Sequence, residues 1–298
     1  PIYRIFPDRS IWTARFENEG LPEKHLEPVL AVSEDSSGGV WVGGVGGLKR
    51  YNKDTKRYSR WQPVSDFSEN PSPSLALNEV NTILQAADER LWIGEVDSSF
   101  LLVDIPSRTV LRRLKSPQSA FGTWGGVYDP SNPEVIWFGS QTSGLGRVDT
   151  TNGAYQFFNS NSNTDAGITA AFVSRVAVSQ SGTFWLSTWG QGLLKFDGEK
   201  VITSYLHDPD DPTSIGSSNV SEVERGPQGQ LWVATIEGGL NVFDESTGTF
   251  ERMGRETGLT TNTIFAIETD EKGFLWLVTN AGVFQFDPNS RRVVANYG

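Results

Sequence analysis

An all-β fold made of repeated four-stranded sheets is what this 298-residue sequence predicts, and three observations predict it. Six segments share a pattern of apolar residue, Trp, apolar residue and small residue, then a Gly-rich turn, then an alternating strand. The tryptophans of those segments, Trp41, Trp92, Trp137, Trp185, Trp232 and Trp276, stand 51, 45, 48, 47 and 44 residues apart. Short runs that alternate apolar and polar residues, separated by Gly, Pro, Asp and Asn, indicate strands joined by tight turns.

Each copy resolves into strands in order. A first alternating strand, seen at 29–32, 175–178 and 264–267, enters a polar turn with Gly at 36–39, 227–229 or 271–273 and pairs with the Trp strand as a hairpin. After the Trp strand comes a second turn, at 46–47, 143–144, 190–192, 238–239 or 281–282. The third strand ends at Asn52, Asp104, Asp149, Asp197, Asp244 or Asp287, side chains that cap a turn by accepting nearby backbone N–H groups. A more variable fourth strand follows, at 154–158, 201–205, 249–253 and 292–297.

Four antiparallel strands in such a unit is the size of a propeller blade, and radial repetition leaves few exposed sheet edges. The chain is therefore expected to be a β-propeller with six complete four-stranded blades, forming a single domain over 1–298. A linear solenoid competes less well, because four strands per repeat is heavy for a β-helix and no dedicated polar caps are present. The tryptophans read as wedges between neighbouring sheets, with Gly43, Gly94, Gly139, Ser187 and Ala234 leaving room beside them. Residues 1–25 resemble the outer half of a blade: IYRIFPDRSIWTARFENEGL lies against LNVFDESTGTFERMGRETGL from 240–259. These N-terminal strands are expected to contribute to a partial seventh blade.

Charge and composition narrow the function. With 36 acidic against 25 basic residues the net charge is -11, which repels nucleic acid and anionic lipid, so neither is an expected partner. No apolar run approaches 18 residues and the start at Pro1 lacks signal-peptide regions, so no membrane span is expected in this chain. The absence of cysteine removes disulfides, thiolate metal sites and Cys nucleophiles.

The unit LWVATIEGGLNVFD at 231–244, with the connector YLHDPDDPTSIGSSNV at 205–220, resembles the two-component regulator propeller repeat. The pattern Trp-apolar-small-Thr-x-x-Gly-Gly-Leu-x-x-Phe-Asp recurs in degraded form in all six copies, and the Asp/Pro/Ser-rich connector is echoed at 69–80. The resemblance implies the periplasmic sensor region of a bacterial hybrid histidine kinase or related signalling protein, recognising carbohydrate fragments or other envelope signals. Members of that family usually carry two seven-bladed propellers, an immunoglobulin-like stalk and a membrane helix; this sequence matches one propeller alone.

Catalysis is not expected. The histidines number two, His25 and His207, too few for a Ser-His-Asp relay with clustered partners or for the metal site on which streptogramin-lyase-like propellers depend. Glu95 and Asp97 offer paired carboxylates, yet glycosidase chemistry needs a fixed separation that a turn does not assure. Asp208, Asp210 and Asp211 lack the Gly-punctuated spacing of a calcium loop and read as turn formers. No cofactor and no metal are expected.

Ligands of propellers meet the face where blade connectors and second-to-third turns converge. Turn residues that depart from the repeat, Glu95, Asp97, Phe100, Gln141, Thr142, Trp189, Glu237 and Asn280, and connector residues His25, Trp124 and Asn262, are the candidates there. Indole planes beside carboxylates and amides suit a sugar ring, which stacks on one face and hydrogen-bonds around its edge. The expected ligand-binding set is Trp124, Trp189, Glu95, Asp97, Gln141, Glu237, Asn280 and His25. The expected partner is a small-molecule or oligosaccharide ligand, or an envelope protein if the propeller is a scaffold; a carbohydrate-active propeller enzyme is the third alternative.

Overall fold

The computed structural model describes residues 3–5, 11–13, 29–35, 39–52, 57–68, 77, 79–117, 122–160 and 165–297. The fold is all-β, a propeller of six blades, each numbered here in chain order and running inner strand to outer strand. Blade 1 comprises Val29–Glu34, Val40–Gly44, Gly47–Asn52 and Arg57–Trp61; blade 2 comprises Val80–Ala86, Arg90–Glu95, Phe100–Asp104 and Thr109–Leu114. Blade 3 comprises Trp124–Tyr128, Val135–Gly139, Leu145–Asp149 and Tyr155–Phe158; blade 4 comprises Val173–Val178, Phe184–Thr188, Leu193–Phe196 and Val201–Tyr205. Blade 5 comprises Val220–Arg225, Leu231–Thr235, Gly239–Asp244 and Thr249–Met253; blade 6 comprises Ile264–Thr269, Leu275–Thr279, Gly282–Asp287 and Arg292–Tyr297. The chain divides into two compact units, one of residues 15–157 carrying blades 1 to 3, the other of residues 158–298 with 2–14.

All six tryptophans are buried, and Trp41, Trp92, Trp185 and Trp232 wedge between sheets. Trp41 packs among Val80, Ile83, Leu91 and Leu101 of the next blade, and Trp92 among Ile136, Phe138 and Val148. In the second unit Trp185 meets Phe243 at 5.6 Å and Trp232 meets Phe286 at 5.5 Å, both edge to face. Second strands such as Leu231–Thr235 are buried at every position, as a strand covered on both faces must be.

Local chemistry fixes the hairpins. The indole N–H of Trp41, Trp137 and Trp276 donates to Asp35, Asp129 and Asp270 in the first turn of its blade, at 2.8, 2.8 and 2.9 Å. Blades 4 and 5 place Ser179 and Gly226 in that turn, and the indole N–H groups of Trp185 and Trp232 are buried there without an acceptor. Guanidinium or ammonium groups of Arg50, Arg147 and Lys195 lie over the rings of Trp41, Trp137 and Trp185 at 5.3, 5.8 and 5.2 Å. At the end of the third strand Asp149, Asp197, Asp244 and Asp287 each accept a backbone N–H two residues on, and Asp104 accepts that of Ser107, the turn capping expected from their positions.

A bulge interrupts the pairing of first and second strands in every blade. Its side chains bind adjacent blades: Ser174 donates to the Val220 carbonyl at 2.9 Å and Ser221 to that of Ile264 at 2.6 Å. In the first unit Thr82, next to the bulge, donates to the Thr123 carbonyl.

One blade differs from the expected four strands. Ser65–Asp66 adds a parallel fifth strand to the outer edge of blade 2, because the chain leaving blade 1 turns back along Thr109–Leu114. At the N-terminus Tyr3–Ile5 pairs antiparallel with Ile11–Thr13 as a two-stranded sheet.

Candidate functional site

Connectors and turns interlock through backbone bonds within each unit. In the first unit Val96 N–H donates to Glu79 at 3.0 Å, and Gly122 N–H donates back to Val96 at 2.6 Å. Ser98 Oγ adds a bond to the Gly122 carbonyl at 2.8 Å, so the connector entering blade 3 lies along the blade 2 turn. Gly122 has φ +84°, and a Cβ there would lie 2.4 Å from Trp124 Nε1, which places the indole directly on its backbone. Trp124 pairs with Gly139, two residues before the exposed Gln141. Asp97 is exposed as well, its carboxylate accepting the Ser99 N–H at 2.9 Å.

Glu95 departs from the expectation of a ligand-facing carboxylate. Its residue is 1% exposed, and Arg113 reaches it at 3.3 Å while also reaching Asp66 at 3.4 Å. One guanidinium between two buried carboxylates is an internal ion pair, and it ties the fifth strand to blade 2. Phe100, another departure from the repeat, is core, with its ring 5.1 Å from Phe138.

In the second unit Trp189 is 45% exposed and tilts against Phe172 with ring centroids 5.2 Å apart. Trp189 N–H donates to Phe172, and Trp189 also forms an isolated bridge with Asn219 of the next connector. Asn219 accepts from Ile236 N–H at 2.9 Å, which sets the exposed Glu237 beside it. The chain continues from Gly239 N–H to Asn262 at 2.8 Å, and Thr261 donates to the exposed Asn280 at 2.5 Å. Trp189, Glu237 and Asn280 therefore share one continuous line of turns and connectors. Gly216 and Gly238 make that line possible, since a Cβ on either would lie 2.3 Å from the other's backbone.

Sequence reasoning missed Phe172 and Gln191. Phe172 precedes an inner strand, where an aromatic looks like core. Gln191 Oε1 accepts the N–H groups of Thr169 and Ala170 at 2.8 and 2.9 Å and so fixes the loop beneath Trp189, a link invisible to repeat alignment.

His25 lies outside the described residues. His207 is tied to its own connector, Nδ1 lying 2.8 Å from the Ile215 carbonyl. Asp208 and Asp211 accept backbone N–H groups two residues on, as turn formers do. Among the described residues no three His, Cys, Asp or Glu side chains are arranged to hold a metal, and no helix is long and apolar enough to cross a membrane.

No family model matches the chain. It is 25% identical over 279 residues to the histidine kinase P4 of Formosa agariphila, covering 89% of this chain and 19% of that protein. Its fold is similar to the extracellular domain described as belonging to a hybrid two component system of B. thetaiotaomicron, with TM-score 0.70 and 16% identity. That match covers 91% of this chain and 35% of the other. Virginiamycin B lyase from Staphylococcus aureus, crystallised as a catalytically inactive form with quinupristin, shares the fold at TM-score 0.66 and 15% identity, over 91% of this chain and 84% of that one. By their descriptions the first is a histidine kinase and the second an extracellular domain of a hybrid two component system, the class that the repeat motif resembles. The chain spans about a fifth of the curated relative and about a third of that extracellular domain.

Proposed function

We propose that this chain is a single propeller domain from the extracytoplasmic, periplasmic sensor region of a bacterial signal-transduction protein, and that it recognises an oligosaccharide without turning it over. The observation that carries this reading is Trp189, an indole outside the repeat position, 45% exposed beside Phe172 and in line with Glu237 and Asn280. A half-exposed ring on one line of turns with an amide and a carboxylate offers an extended sugar both a stacking face and hydrogen-bond partners. In the first unit the exposed Asp97 and Gln141 lie on turns beside the more deeply seated Trp124, whereas Glu95 is engaged internally and leaves the set. The test is calorimetry against a panel of oligosaccharides. Binding should weaken about tenfold or more in Trp189→Ala, in proportion to a lost stacking contact of ~1.4 kcal/mol. A panel without any response, or a bound sugar that Trp189→Ala and Trp124→Ala leave unaffected, removes the assignment.

A scaffold role has one observation of its own: Val64 and Phe67, 61% and 77% exposed, flank the added strand of blade 2. Exposed apolar side chains grouped on an edge suit protein contact. Pull-down from envelope extracts with Phe67→Ser and Trp189→Ala separates the two roles.

A further inference from the structure

Three innermost strands of the second unit bring four charged side chains to one seam. Arg175 of blade 4 pairs with Glu222 of blade 5, and the other oxygen of Glu222 accepts the Ile267 N–H of blade 6 at 3.1 Å. Glu222 thus joins three sheets. Two residues along the same strand, on the same face, Glu224 feels the charge of Glu268, and beside it the Thr269 hydroxyl of blade 6 donates to the Arg225 carbonyl of blade 5 at 3.4 Å. Glu224 stands opposite Trp232 in its ladder and Glu268 opposite Trp276, so adjacent blades place a carboxylate at the same register position.

The surrounding charges do not balance. Blade 4 has Ala177 at that register position, opposite Trp185. Arg175 is engaged by Glu222, and Arg225, next along the strand, turns to Glu245 at 3.2 Å. Among the described residues Glu222, Glu224 and Glu268 therefore share one guanidinium.

We infer that Glu224 and Glu268 form a proton-operated latch between blades 5 and 6: with Glu224 protonated the inner strands seat together, and with it ionised the carboxylates repel and loosen the seam. Burial, then the charges of Glu268 and Glu222, push Glu224 up to about 7, and burial also raises Glu222 despite Arg175. A carboxyl raised above its ordinary 4.5 contributes stability that is full below that value and is lost as pH rises through about 7. The latch is shut in mild acid and released above neutrality. Its seam supports the turns bearing Glu237 and Asn280, joined by the Gly239 to Asn262 bond, whatever those turns bind.

Hydrogen exchange of strands Val220–Arg225 and Ile264–Thr269, corrected for intrinsic base catalysis, tests the latch between about pH 5.5 and 8. Protection should fall about fivefold or more across that range in the native protein and stay nearly level in Glu224→Gln. Glu268→Gln should move the transition to lower pH and reduce its amplitude, because losing one repulsive charge pulls Glu224 downward and leaves Glu222 alone to repel it. Carbon-13 titration of the Glu224 carboxyl in the native protein gives a readout that needs no variant. A carboxyl titrating in the ordinary glutamate range, or identical exchange profiles for native protein and Glu224→Gln, overturns the inference.

Discussion

The indole N–H of Trp276 donates to the carboxylate of Asp270 at 2.9 Å, six residues upstream across a single hairpin turn. Trp41 and Asp35 repeat the spacing, and Trp137 reaches Asp129 across a turn two residues longer. Each turn is closed by the same backbone bond: Asp270 N–H to Phe274, Asp35 N–H to Gly39, and, in a blade that lacks the carboxylate, Ser179 N–H to Thr183.

Ser179→Asp should therefore stabilise the protein by about 1 kcal/mol, because it supplies an acceptor to the buried N–H of Trp185 in a turn already shaped for it. The reverse change, Asp270→Ala, should cost about 1–3 kcal/mol. Urea midpoints of the two variants check both signs; a destabilised Ser179→Asp would show that the turns are not interchangeable.

Arg113→Leu should destabilise by roughly 3–5 kcal/mol, since it leaves the buried carboxylates of Glu95 and Asp66 facing each other without their cation. Denaturant unfolding measures the loss. Restoration of most of it by adding Glu95→Gln and Asp66→Asn would confirm that uncompensated charge, not lost packing, is the cause.

Two tryptophans four residues apart should behave oppositely. Trp185 is 1% exposed between blades 4 and 5, so Trp185→Ala should cost about 3–5 kcal/mol. Trp189 is 45% exposed, so Trp189→Ala should shift stability by less than about 1 kcal/mol. Thermal unfolding of both variants distinguishes the wedge from the rim.

The capping aspartates set a second pH dependence, distinct from the seam. Hydrogen bonds hold them low: from the side chains of Thr151 and Ser246 onto Asp149 and Asp244, and from the Lys200 N–H onto Asp197. Their folded values lie below the ordinary 3.8, so the stability they add is present above that value and is lost as pH falls through the lowered one. The difference in urea midpoint between the native protein and Asp244→Asn should be constant near neutrality and should vanish in strong acid.

Much of this architecture was legible because its signals are local. The Trp spacing, the Gly turns and the Asp at the end of each third strand lie within one blade, where alternation and turn chemistry speak directly. What escaped depends on partners distant in sequence. Glu95 looks like a free turn carboxylate until Arg113, 18 residues on, folds across to it. The acceptor role of Asp35, Asp129 and Asp270 is diluted by Ser179 and Gly226 at the matching place. The strand Ser65–Asp66 is too short to show alternation, and the pairing of Trp189 with Phe172 crosses between a turn and a connector.

That short strand has a consequence for assembly. By pairing with Thr109 and Val110 it occupies the peptide groups at the start of the outer strand of blade 2, so an incoming chain cannot extend the sheet at that end by backbone pairing without first displacing it. Strand addition is directed away from that end of blade 2, where the exposed side chains of Val64 and Phe67 are presented for contact instead.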